Sequence, residues 1–175
     1  IGWAYDWGTW SFPMTNATGT VTGFRLRSDT GRKWAVPGSR EGLFVPADLP
    51  DGVPLLITEG PTDCAALLDM GFAAVGRPSC TGGVSLLAAL VKRRKPPEVV
   101  IVADTDEPGQ RGAGSLASVL RVHCSTVRIV CPPEGIKDVR AWKRAGAVAA
   151  DVQRAIEASP VLSLSIHANR GGGKG

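Results

Sequence analysis

Histidine is nearly missing from this 175-residue chain, with only His123 and His167, and none of the four cysteines (Cys64, Cys80, Cys124, Cys131) stands at C-x-x-C spacing from another. A structural zinc site needs closely spaced thiolates and imidazoles, so none is expected here. The cysteines read instead as ordinary core or near-surface residues of a reducing compartment. No apolar run approaches the roughly 20 residues of a membrane span. Neither end carries a signal-peptide pattern. The expectation is a cytoplasmic protein with no membrane partner. Tyrosine is scarcer still, with Tyr5 alone. The sequence opens on Ile1 rather than Met and is expected to be a piece of something longer.

What is present suits one domain, or one domain with a small appendage. Residues of the hydrophobic class make up 43% of the chain, enough for a buried core. Lys and Arg number 20 against 16 Asp and Glu, for a net charge of +4 and a pI near 9.1. That mild basic bias permits a nucleic-acid partner without requiring one.

The chain changes character near residue 50. Residues 9–36 alternate apolar and polar side chains around turn signals at Asn16 to Gly19 and Ser28 to Gly31, the pattern of a β-meander. "PADLPDGVP" reads as a linker. From Leu55 onward short apolar runs alternate with helical segments. "PLLIT", "FAAVG", "EVVIVAD" and "STVRIVC" are predicted strands. "PTDCAALLDMG", with Pro61 in its first turn, "GGVSLLAALVKRR", "QRGAGSLASVLRVH", "DVRAWKRAG" and "VAADVQRAIEA" are predicted helices. Such alternation predicts a parallel sheet covered on both faces. The expected division is a small β-rich unit over 1–50, an α/β domain over 51–160 and a flexible tail over 161–175. The tail's "NRGGGKG" resembles a phosphate-binding Gly-Lys loop only superficially, since the spacing and the following Ser/Thr are missing.

Loops after the strand C-termini form the functional crevice of an open parallel sheet. Two strand ends carry acids: "LLITEG" delivers Glu59, and "VIVADTD" delivers Asp104 and Asp106. With strand order 2-1-3-4 the first and third strands are neighbours, and the three carboxylates would converge. Unpaired like charges raise one another's pKa, whereas a hard divalent cation that prefers carboxylate oxygen reverses the penalty. The i, i+2 spacing points both aspartates to one side if strand geometry continues. A D-x-D at a strand end is equally a turn or a helix cap, and Asp106 before Glu107 and Pro108 suits the latter. Gly109 and Gly112, just after these acids, are expected to leave open space beside them. "KRRKPP", residues 92–97, reads as a basic helix C-terminus facing water.

Taken together, "LLITEGPTDCAALL", "RPSCTGG", "VVIVADTDEPGQRGA" and "GIKDVRAW", in this order over about residues 54–146, resemble a TOPRIM domain. This is the metal-binding module of bacterial-type primases, type IA and type II topoisomerases and some nucleases. The upstream "WSFPMTNATGTVTGFRLRS…GRKWAVPGSREGLFVP" is similar to the segment before TOPRIM in bacterial and phage primases. The resemblance implies an α/β fold: a TOPRIM-type parallel sheet of about four strands flanked by helices, preceded by a small antiparallel β subdomain.

For function, the resemblance implies the catalytic core of a DNA primase that makes short primers on single-stranded DNA from nucleoside triphosphates. Glu59, Asp104 and Asp106 would be catalytic and, with Asp138, would hold Mg²⁺ or Mn²⁺. Glu59 would be a further metal ligand or a proton acceptor. Arg25, Arg27, Lys33, Arg111 and Lys137 would contact nucleotide or template phosphate. For the first three, solvated charges on the outer face of a small sheet fit the alternation as well. Arg111 could neutralise a triphosphate or pair with an acid, and Asp138 could cap the following helix. A replicative helicase or a zinc-binding domain, in cis or in trans, is the implied partner, because complete primases of this class carry a zinc module that this chain lacks. The alternatives are a TOPRIM nuclease, with water as the nucleophile, and a non-catalytic module that binds nucleic acid or nucleotides. A topoisomerase needs a covalent Tyr, and Tyr5 lies far from the motifs in sequence.

Overall fold

The computed structural model describes residues 1–162, so the expected flexible tail lies, but for its first two residues, outside the described residues. The N-terminal part is an antiparallel sheet in the order β1-β2-β3-β4. Its strands are β1 (Gly2–Ala4), β2 (Thr9–Thr15), β3 (Val21–Arg27) and β4 (Lys33–Ala35), with a 3₁₀ turn at Tyr5–Trp7. The sequence pattern placed the meander at residue 9 and missed β1. Three residues hold too little alternation to be seen. Both predicted turns form: the Asn16 Oδ1 accepts from the Thr18 and Thr20 amides at 3.0 Å, and the Ser28 Oγ accepts from the Arg32 amide at 3.1 Å. These side chains mimic a backbone turn and hold it closed.

The second sheet is parallel, in the order β6-β5-β7-β8, the 2-1-3-4 arrangement on which the convergence of acids depends. It contains β5 (Leu55–Glu59), β6 (Ala74–Arg77), β7 (Val99–Val102) and β8 (Val127–Val130). The helices are α1 (Pro61–Asp69), α2 (Val84–Arg94), α3 (Glu107–Leu120), α4 (Val139–Arg144) and α5 (Ala149–Ala158). The continuous apolar runs of β5 and β7 follow from burial on both faces. Leu55, Ile57, Val99 and Ile101 pack with Leu87, Leu90, Leu116 and Leu120 of α2 and α3. On the other face Leu56, Val100 and Val102 pack with Leu67, Trp142, Val152 and Ile156 of α1, α4 and α5. Successive residues alternate between these two cores, the period of two that every strand imposes.

Leu43 and Phe44 couple the two sheets. Leu43 exchanges backbone hydrogen bonds of 2.8 Å with Thr15 at the end of β2, and Phe44 exchanges bonds of 2.8 and 2.9 Å with Gly76 on β6. The basic end of α2 adds a second tie. Arg93 donates to the Ala17 carbonyl at 2.9 Å, and Arg94 donates to the Leu49 carbonyl at 2.8 Å and pairs with Asp51 at 2.7 Å. "KRRKPP" was expected to face water; two of its cations instead bind the β2–β3 turn and the linker down onto α2. The antiparallel sheet is thereby held over the C-terminal ends of β5 and β7.

Candidate functional site

A crevice lies between the two sheets. Arg25, Arg27 and Lys33 from β3 and β4 line one wall, and Glu59, Asp63, Asp104, Lys137, Asp138 and Arg140 line the other. Arg27 and Lys33 are direct cross-strand partners, and Arg25 lies two residues along β3 on the same face. Arg27 donates to the Thr62 hydroxyl at 3.1 Å, which ties the basic wall to the start of α1. Burial, and after it the neighbouring Arg140, holds the Arg27 guanidinium below its usual pKa, with Asp63 and Asp138 opposing.

Glu59 is the last residue of β5, and it has a partner that stands in the quoted "RPSCTGG" but was given no role there. Arg77, at the corresponding end of β6, is 1% exposed and places its guanidinium 3.3 Å from the Glu59 Oε1. The same guanidinium donates to the Gly112 carbonyl at 3.4 Å. Burial pushes the Glu59 carboxyl up and Arg77 pulls it down, with a net rise. Arg77 escaped the sequence reading because it ends a short apolar run, "FAAVGR", where a strand-terminal cation looks like ordinary surface.

Asp104 lies two residues beyond the end of β7 and has no such partner among the described residues. Burial raises its carboxyl first, and Glu59, Asp63, Asp138 and Asp106 raise it further, to about 7. Asp63 is the second residue the sequence reading missed. It sits in the first turn of α1, is 7% exposed, and accepts the Arg140 amide at 3.1 Å. Its carboxyl is raised by burial and by Asp138. The available signal was its place four residues after Glu59, at the third position of α1.

Asp106 departs from the expected convergence. The β7–β8 ladder ends at Val102, so strand alternation does not extend to the D-x-D. Asp106 caps α3 instead, its Oδ1 accepting the Gly109 amide at 2.9 Å. Its Oδ2 lies 3.9 Å from the Lys137 Nζ. Asp106 is not among the residues lining the crevice, although it stands near enough to raise Asp104 and Glu59. Asp138 does both things open to it: it lines the crevice and caps α4 by accepting the Ala141 amide at 2.7 Å. Two carboxylates, Asp138 and Asp63, thus serve the N-terminal amides of α4, where helix geometry leaves donors unsatisfied.

Of the two roles open to Arg111, pairing with an acid is the one seen: it meets Glu107 at 2.5 Å, one turn earlier on α3, and lines a separate hollow beside Cys80 and Ser115. The expectation for the glycines needs correction. Gly109 and Gly112 do not open space. A Cβ at Gly109 would stand 2.9 Å from the Asp104 carbonyl, and one at Gly112 would stand 2.2 Å from the Cys80 carbonyl. The glycines let α3 press against the loops that carry Asp104 and Cys80. All four cysteines are free thiols, with Cys64 buried and pushed up to about 12.

The donors at the crevice suit a hard divalent cation, being carboxylate oxygens around Asp104, whose pKa is raised by burial and then by its acidic neighbours. Among the described residues no three of His, Cys, Asp or Glu gather as a ready-made metal cage. Mg²⁺ does not require one, since one or two carboxylates commonly hold it with water and phosphate completing the shell.

In comparison with known proteins, the Toprim-like family model matches residues 56–141. A search of curated protein sequences gives no match. A chain from the bacteriophage T7 assembly of lagging-strand DNA polymerase with primase domains bound to an RNA/DNA hybrid and dTTP superposes with a TM-score of 0.70 at 15% identity, covering 87% of this chain and 78% of that one. The primase fragment of the bacteriophage T7 primase-helicase gives 0.66 at 14% identity, over 83% of this chain and 62% of that one. The E. coli primase catalytic core gives 0.65 at 21% identity, over 86% of this chain and 52% of that one. The chain therefore spans about half the length of the bacterial core. Among the described residues no helix is long and apolar enough to cross a membrane. Residues 56–141 form a TOPRIM domain, and with the antiparallel sheet before it the chain has the fold of the bacterial and phage primase catalytic cores.

Proposed function

We propose that this chain is the catalytic core of a primase-like nucleotidyltransferase that joins nucleoside triphosphates on a single-stranded DNA template. The observation that carries the reading is the crevice itself, in which a wall of Arg25, Arg27 and Lys33 faces Glu59 and Asp104. Such a gap suits a polyphosphate whose one side needs cations and whose other side is bridged to carboxylates. Asp104 would be the principal ligand of Mg²⁺ or Mn²⁺, with Glu59 beside it and Asp106 and Asp138 at its edge. When bound, the ion screens the triphosphate charge and lowers the pKa of the attacking 3′-hydroxyl.

The remaining work falls to the protein's own side chains. Arg27 and Lys33, adjacent on the sheet, position phosphates by charge, and Arg25 extends that track. Lys137 stands beside Asp106 at the mouth and meets phosphate from the acidic side. Arg77 fixes the Glu59 carboxylate, leaving it as a ligand or as an acceptor of the hydroxyl proton. Template capture and unwinding would fall to a zinc-binding domain and a replicative helicase, in cis or in trans.

The test is incubation with single-stranded DNA, labelled ribonucleotides and Mg²⁺. Short labelled oligomers that disappear in Asp104→Asn and Glu59→Gln are the expected result. Shortening of the DNA itself would identify a nuclease using the same carboxylates. Binding without product would identify a non-catalytic module. Labelled oligomers that survive both substitutions would remove the assignment of the site.

A further inference from the structure

Four residues form one straight row across the antiparallel sheet. Trp3 on β1 is the register partner of Trp10 on β2, Trp10 of Arg27 on β3, and Arg27 of Lys33 on β4. Direct partners share a face, so both indoles lie on the face that carries the crevice cations. Trp3 is 39% exposed and Trp10 45%. Their rings meet edge to face with centroids 5.2 Å apart. Large aromatic side chains normally bury most of their area, so an exposed pair at this spacing calls for an occupant. On the sheet's other face Trp34 packs against Trp7 and beneath the Arg32 guanidinium at 5.3 Å, and no row there joins aromatics to the crevice cations.

The row is also continuous with the crevice. A hollow lined by Trp10, Phe12, Arg27, Asp29 and Arg140 shares Arg27, Thr62 and Arg140 with it. A strand whose phosphates follow Lys33, Arg27 and Arg140 would bring its bases over the indoles. We propose that Trp3 and Trp10 form a stacking platform for unpaired bases of single-stranded nucleic acid leaving the crevice. Basic grooves flanked by aromatic faces bind single strands in this way, with little dependence on sequence because every base has a π-face. Among the described residues Asp29 is the one acid in the hollow, and it sits in the β3–β4 turn between Arg27 and Lys33 in the chain.

The inference rests on the reading of the crevice as a nucleic-acid site, and the two are separable by experiment. Binding of an oligo-dT is compared with that of an abasic phosphodiester strand of the same length, by anisotropy, for the parent protein, Trp10→Phe, Trp10→Leu, Trp3→Leu and Lys33→Glu. The expected result is that the parent prefers the strand with bases by roughly tenfold or more, Trp10→Phe retains part of the preference, and Trp10→Leu and Trp3→Leu lose most of it. Binding of the abasic strand should be the same for the parent and the Trp variants, which also shows that they are folded. Intrinsic fluorescence of the parent should be quenched by oligo-dT. Equal affinity of parent and Trp variants for oligo-dT, without quenching, would overturn the platform in favour of a protein contact on the same face, while sensitivity to Lys33→Glu would leave the crevice reading intact. No binding of either strand by the parent would overturn both.

Discussion

The ends of β5 and β7 lie side by side, and each presents an acid to the same crevice, yet the two acids are supported in opposite ways. Glu59 comes with its cation built in: Arg77, almost fully buried, holds one oxygen at 3.3 Å and is itself fastened to the Gly112 carbonyl. Asp104 has only burial and four other carboxylates around it, which bring it to about 7. One charge is balanced within the fold, and the other awaits balance from outside. In the proposed function an external cation would gain most at Asp104, with Glu59 held beside it in a fixed position.

The sharpest way to break this contrast is to remove each carboxylate in turn. Losing only an outer partner of a metal ligand typically costs 10–100-fold in affinity or activity. Asp104→Asn should therefore reduce primer synthesis by at least about a hundredfold and abolish the gain in thermal stability on adding Mg²⁺. Glu59→Gln should reduce synthesis as well but preserve part of the Mg²⁺-dependent stabilisation. If the stabilisation survives in Asp104→Asn and is lost in Glu59→Gln, the roles of the two strand ends are reversed.

Arg77 allows a test that does not depend on activity. Breaking a buried ion pair from one side leaves the partner charge uncompensated, at a cost of about 3 kcal/mol or more. Arg77→Met should lower the unfolding free energy measured in urea by that amount, which moves the midpoint down by roughly 1–3 M. Adding Glu59→Gln to it should restore much of the loss, because the stranded charge is then gone. Strict additivity of the two substitutions would show that the pair is not coupled.

Asp104 should in turn reveal itself in the pH dependence of the metal-free protein. Its pKa in the folded chain, about 7, lies above the ordinary 3.8. The folded state therefore binds the proton more tightly than the unfolded state does. The contribution to stability is fully present below about pH 4 and is lost as pH rises through about 7. In the absence of divalent ions Asp104→Asn should melt several degrees above the parent at pH 8 and close to it at pH 4. Mg²⁺ should stabilise the parent more at pH 8 than at pH 6, since it competes with that proton. A melting temperature for Asp104→Asn that tracks the parent across this range would remove the uncompensated charge from the argument.

The same contrast marks how far the sequence could be read. The parallel sheet and the positions of Glu59 and Asp104 were legible because apolar runs, turns and strand-end acids are local patterns. The arrangement 2-1-3-4 entered the sequence reading only as a condition, because strand order is set by long-range pairing, and the structure supplies it. Arg77 and Asp63 were not legible, because what distinguishes them is burial, and burial is created by chain segments 18 to 77 positions away in their hydrogen bonds. Asp106 shows the limit from the other side. Its spacing from Asp104 suggested two side chains aimed alike, but the strand ends at Val102, and the helix N-terminus that begins at Glu107 takes the carboxylate as its cap. The ties from Arg93 and Arg94 to Ala17 and Leu49 were invisible for the same reason as Arg77, since both ends look like ordinary surface.

The smallest expected effect separates the two cationic positions that sequence alone treated alike. Lys33 lies on the basic wall, whereas Arg111 spends its charge on Glu107 in a different hollow. A phosphate contact releases counterions, so each one contributes about 0.7 to the salt slope of single-strand binding. Lys33→Glu should weaken binding of single-stranded DNA severalfold and reduce that slope by roughly 0.7 or more. Arg111→Glu carries the same change in net charge. If the effect were only long-range attraction by a basic protein, the two reversals would act alike. If Lys33 touches phosphate and Arg111 does not, only the first should change the slope, and a slope that falls equally in both would return the basic wall to the status of ordinary surface charge.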